Sequence, residues 1–117
     1  MKSNKIYYLA HPYSGNEEEN VKQSIMASNL LLERGYYIFN PLTHSHPLNM
    51  GWVRDPKFWY DFDLLFLEKC DGLILGIGWE HSKGCKKEFR HALDLKDHLL
   101  DNFEILFYED IMEDERE

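Results

Sequence analysis

The chain has 117 residues, of which 44% are hydrophobic, 29% charged and 15% aromatic. That is one domain's length with ample core material, and it excludes wholesale disorder. The formal charge of −8 disfavours a nucleic-acid footprint. No apolar run approaches the roughly 18–20 residues of a membrane span, and no apolar signal core stands at the start. Cys70 and Cys85 are too few for a disulfide scaffold, so a reduced, cytoplasmic protein without membrane contact is expected.

Residues 5–10 (KIYYLA) read as a strand, and 11–15 as a turn with Pro and Gly. A helix follows, with Asn16 as N-cap and Glu17, Glu18 and Glu19 in its first turn. Val21, Ile25, Ser28 and Leu32 step by three or four and are expected to form its buried stripe. Gly35 stops the helix, and 36–40 form a second strand. Residues 41–56, with three prolines, two histidines and a Trp, read as a long functional loop. Next come a helix at 57–69, a buried strand at 73–76 and a glycine-containing loop at 77–84. A third helix at 85–100 is expected to turn Phe89, Ala92, Leu93 and Lys96 to one side, before a last strand at 104–108. Residues 109–117 (EDIMEDERE) carry −5 of the net charge, leaving −3 on residues 1–108. They read as a solvated acidic tail on a domain spanning 1–108, and a pocket for a small anion stays compatible with that balance.

This order predicts an α/β fold: a doubly wound, mostly parallel sheet of four to five strands with helices on both faces. Ligands on such sheets bind beyond the carboxyl ends of the strands. The unusual residues gather there, at 10–15, 40–43 and 76–84.

In the 78–84 loop, backbone N–H groups, the Ser82 hydroxyl, the Lys83 charge and the close approach that Gly84 permits suit an anion. Glu88 lies about one turn into the following helix, where the helix end favours an ionised carboxylate and Phe89 and Ala92 desolvate it. An ionised, poorly hydrated carboxylate is a competent nucleophile. Asp61 and Asp63 offer a facing acid, and Asp63, between Phe62 and Leu64, is a candidate for a raised pKa. Such carboxylate pairs serve glycosidic chemistry, one protonating the leaving group while the other attacks carbon. Tyr7 and Tyr8 alternate across the first strand, so one of them reaches the pocket side. His44 and His46, with Trp52, form a polar and aromatic lid; a metal there lacks a third ligand of suitable spacing, although His11, Asp55 and His81 could converge. His91 and His98 are expected to face solvent. Plain alternatives are a helix start of ordinary acidic preference around Glu88, a solvated face at Asp61 and Asp63, and core tyrosines.

Tyr8-Leu9-Ala10-His11-Pro12-Tyr13-Ser14-Gly15, Asp63 eight residues before Asp71, and Ser82-x-Gly84-x-x-x-Glu88 together resemble the nucleoside 2-deoxyribosyltransferase superfamily, which includes the 2'-deoxynucleoside 5'-monophosphate N-glycosidases. The likeness spans about residues 6–93 and extends to small bacterial and phage members with a Gly-Trp-Glu-x-Ser-x-Gly stretch, here 78–84. It implies a flavodoxin-like or Rossmann-like sheet and cleavage of the bond between a base and deoxyribose, by hydrolysis or by transfer to another base. Glu88 then matches the nucleophile, Asp63 the acid and orienting carboxylate, Tyr8 the tyrosine that holds nucleophile or sugar, and Ser82 a serine that binds a 5'-phosphate. His11, Ser14, Gly15, His44, His46, Trp52, Trp79, Lys83 and Gly84 complete the expected substrate-binding set, with Phe58 and Trp59 further candidates to stack on the base. No cofactor or metal is implied, and a homodimer or larger assembly is. The chain departs from the pattern in two places. Residues 11–15 lack the Arg that assists the phosphate in the hydrolases, and Gly76, Gly78 and Glu80 stand where the transferases carry a further Asp. A nucleotide-sensing module without turnover is the rival reading; a phosphoribohydrolase ranks lower, for want of its Gly-rich phosphate signature.

Overall fold

The computed structural model describes residues 4–99 and 102–114. Four parallel strands, β1 (Ile6–Ala10), β2 (Tyr37–Phe39), β3 (Gly72–Leu75) and β4 (Glu104–Phe107), lie in the order β2-β1-β3-β4. The chain winds outward from β1 to β2, crosses back, and winds outward again from β3 to β4. The doubly wound α/β fold is therefore present, with its switch point between β1 and β3. Helices α1 (Glu17–Glu33), α2 (Pro41–Gly51), α3 (Pro56–Lys69), α4 (Lys83–His98) and α5 (Tyr108–Glu113) make the connections and the close. Among the described residues no helix is long and apolar enough to cross a membrane.

Strand alternation divides the core in two. Tyr8, Ala10, Leu73 and Leu75 face one side with Leu67 of α3 and Ala92 and Leu95 of α4. Tyr7, Leu9 and Ile74 face the other, with Ala27 and Leu31 of α1 and Ile111 of α5. Gly72 is required by close approach: a Cβ there would stand 2.7 Å from the Glu104 carbonyl oxygen and 2.8 Å from the Tyr7 ring.

Three expectations about the elements are corrected. Residues 41–51 are a helix, not a loop. Asn40 caps it, accepting from the Leu42 N–H at 2.9 Å, and Pro41 occupies a first-turn position where its missing N–H costs nothing. Pro47 removes one interior bond, but burial of Pro41, Leu42 and Ser45 holds the helix. The buried stripe of α1 is Ser24, Ala27 and Leu31, while Ile25 and Leu32 are exposed. The phase is set by Asn40, whose amide donates to the hydroxyls of Ser24 and Ser28 at 3.0 Å each. Likewise α4 buries Cys85, Glu88, Ala92 and Leu95, leaving Leu93 and Lys96 outside. The predicted end of this helix at residue 100 lies outside the described residues.

The acidic stretch begins as structure. Tyr108 and Ile111 of α5 are buried, and the Arg34 guanidinium donates to the carbonyls of Ile111 at 2.6 Å and Asp114 at 2.7 Å. Residues 115–117 of the expected tail lie outside the described residues.

Asn40 thus caps α2 and pins α1 at once. Asn40→Ala is expected to cost about 2–3 kcal/mol, lowering the melting temperature by roughly 10 °C. Thermal unfolding followed by circular dichroism measures this, and an unchanged midpoint would show that the side chain's bonds hold neither helix.

Candidate active site

At the switch point the loops after β1 and β3 touch. The His11 ring lies against Gly76, where a Cβ would stand 3.2 Å from it, and Pro12 lies against Gly78. The Pro12 carbonyl can only accept, so His11 carries its proton on Nδ1, donating at 2.9 Å. Burial lowers the His11 pKa, and the neutral ring keeps Nε2 as an acceptor. The β3 loop turns at Gly78, whose φ of +86° suits glycine, through a short 3₁₀ turn at Trp79–His81 into α4. Ser82 caps α4 by accepting from the Cys85 N–H at 3.2 Å, which leaves its own O–H free to donate. Lys83 and Gly84 are exposed.

Glu88 lies in the second turn of α4, on the face turned to the sheet, and only 9% of it is exposed. The Tyr8 hydroxyl, fully buried on β1, donates to Glu88 Oε2 at 2.5 Å. Burial pushes the Glu88 pKa up to about 8; the Tyr8 bond opposes this and the nearby Asp63 charge adds to it. The expected rescue by the helix end is corrected here: its influence fades beyond the first turn, and desolvation wins. The Tyr8 hydroxyl is itself held well above its usual pKa by burial and by the two acids.

Asp63 of α3 is partly buried, and burial raises its pKa to about 7 against a long 3.5 Å bond from the Ser45 hydroxyl. Its effect on both Glu88 and Tyr8 puts the three groups in one electrostatic neighbourhood. Asp61 points away, paired with Lys57 at 2.7 Å. The structure therefore brings together Tyr8, Asp63 and Glu88. It also adds Tyr60, one turn before Asp63 on α3, whose pKa feels Glu88 and whose ring lies 5.0 Å below the Lys87 ammonium. Sequence reasoning missed Tyr60 and Ser45; for Tyr60 the i, i+3 spacing from Asp63 was the available signal.

The other expected binding residues disperse. His44 stacks on Phe62 at 5.5 Å, beside Phe39 and Phe66. His46 bonds the Tyr13 hydroxyl through Nδ1 at 2.7 Å, with Glu18 at 3.8 Å from Nε2, and so ties the β1 loop to α2. Ser14 and Gly15 are exposed in that loop, Gly15 with a φ of +104°. Trp52 is 73% exposed. Trp79 packs on Phe89 and Phe107. Phe58 and Trp59 lie beneath the Arg54 guanidinium. His91, expected in solvent, is half-buried and bonded to Glu68 at 2.8 Å, joining α3 to α4. Among the described residues no three His, Cys, Asp or Glu side chains gather as metal ligands. A cleft of about 350 Å³ opens elsewhere, between α1, β2 and α2, bordered by Ile25, Asn29, Phe39 and His44. It is wide and shallow, and neither Glu88 nor Asp63 lines it.

The arrangement supplies an acid pair of raised pKa, one member held by a buried hydroxyl, near the ligand-binding end of a parallel sheet. That suits attack on, or protonation at, a carbon–heteroatom bond. Comparison with curated proteins finds no match for the chain. Residues 5–100 match the family described as a domain of unknown function, DUF1937, and the chain belongs to that family.

Proposed function

We propose that this protein cleaves the N-glycosidic bond of a deoxynucleoside or its 5'-monophosphate, with Glu88 as nucleophile, and passes the sugar to water or to a second base. The observation that carries the reading is the buried Tyr8–Glu88 hydrogen bond with Asp63 in electrostatic reach.

The transition state of such a cleavage resembles an oxocarbenium ion, which a carboxylate beneath the anomeric carbon stabilises before bonding to it. The Tyr8 hydroxyl holds Oε2, leaving Oε1 for the anomeric carbon. A departing base is a poor leaving group until protonated, and Asp63, whose pKa is about 7, carries a proton for it near neutrality. Water or a second base then attacks the deoxyribosyl ester, releasing Glu88. Ser82 and Lys83 are the candidate contacts for a 5'-phosphate, and crowding by Tyr8 at the 2' position favours deoxyribose. Cys70 and Cys85 are free and buried, which suits the cytoplasmic location that goes with this reading.

The test is a panel of nucleosides and their 5'-monophosphates, with and without a second free base, scored for release or exchange by chromatography. Release without acceptor is expected of a hydrolase, exchange of a transferase. Thermal stabilisation by a nucleotide with neither release nor exchange would overturn the catalytic reading in favour of a sensing module.

A further inference from the structure

Helix α1 carries most of its larger apolar residues on the outside. Ser24, Ala27 and Leu31 meet the sheet, while Ile25, Met26, Leu30 and Leu32 are 43%, 66%, 42% and 49% exposed. A surface helix normally turns its apolar residues inward, and large apolar side chains grouped on its outer side mark a contact surface.

Helical spacing sets Lys22, Met26, Asn29, Leu30 and Glu33 along the outermost face, opposite the buried stripe. The two ends of this face carry opposite charges. No ion pair holds Lys22 or Glu33 among the described residues. Such a face is complementary to itself when reversed. With a two-fold axis between Ala27 and Ser28, Lys22 of each copy meets Glu33 of the other, and Met26 meets Asn29. Moving the axis to Met26 would instead set Glu19 against Glu33, two like charges. The charges therefore select one register, and the two-fold presents every favourable contact twice.

We propose that α1 is the contact face of a homodimer, packed antiparallel on α1 of a second copy in the register that pairs Lys22 with Glu33. This rests on the α1 surface alone and is independent of the glycosidic reading.

Sedimentation of the full chain from micromolar to hundred-micromolar concentration is expected to show a dimer. Lys22→Glu and Glu33→Lys should each raise the dissociation constant on the order of tenfold or more, and the double exchange should restore it. Met26→Glu should give a monomer throughout. All three positions are exposed, so thermal melts should show these variants folded. A wild-type monomer at every concentration would overturn the proposal. So would a dimer indifferent to Met26→Glu, or one that the double exchange fails to restore.

Discussion

Glu88→Gln is expected to reduce base release by on the order of 10³ or more, and at the same time to make the protein more stable at alkaline pH. The first effect follows from removing the atom that bonds to the sugar: an amide oxygen is no substitute for a carboxylate beneath a developing oxocarbenium ion. The second follows from burial. Glu88 titrates near 8 in the folded chain against an ordinary 4.5. A carboxyl whose folded pKa is raised contributes stability by staying neutral. That contribution is complete below 4.5 and is lost as pH climbs through 8, because the unfolded chain ionises freely over that window. The whole shift corresponds to about 5 kcal/mol, and solvent relaxation reduces this to a few. Gln does not titrate and still accepts from the Tyr8 hydroxyl. The difference in melting temperature, variant minus wild type, should therefore widen between pH 5 and pH 8. A constant difference across that range would mean that Glu88 is hydrated, and a hydrated acid loses its claim to be a desolvated nucleophile. A gain in stability on removing a working group is what an active site under functional strain gives.

The doubly wound order was legible because strands and helices alternate and each strand is short and apolar or aromatic. Position at a strand end and helical spacing made Tyr8, Asp63 and Glu88 candidates, and the resemblance assigned their roles. What stayed hidden was decided by contacts between distant segments. Nothing in residues 41–51 announces a helix when prolines stand at 41 and 47; the cap and the burial that stabilise it come from Asn40 and from packing against the rest of the fold. The phase of α1 was one residue off because small polar Ser24, anchored by Asn40, turned inward while Ile25 turned outward. Trp79 reads as a base-stacking residue by composition, yet its ring is engaged with Phe89 and Phe107. For Glu88, proximity to a helix start was the wrong cause: desolvation governs its charge, and desolvation is a property of the assembled core.

Asp63→Asn should remove one limb of the pH–rate profile. The proposed reaction needs Glu88 ionised and Asp63 protonated, yet the two groups titrate near 8 and near 7, the reverse of that order. The active form is then a minority of the molecules, and kcat/KM falls on either side of a maximum between the two values. In Asp63→Asn the alkaline limb has no acid left to lose its proton. The profile should rise with pH and level off, the plateau lying on the order of 10²-fold below the wild-type maximum for a base that must be protonated. The rising limb should also move to lower pH, since the charge of Asp63 is one of the causes that raise Glu88. The wild-type bell alone cannot assign the roles, because exchanging acid and nucleophile predicts the same curve. The leaving group separates them. A deoxyriboside whose leaving group departs without protonation should recover most of its rate in Asp63→Asn and none in Glu88→Gln. Recovery in Glu88→Gln instead would exchange the two assignments, with Asp63 attacking carbon and the buried glutamic acid delivering the proton.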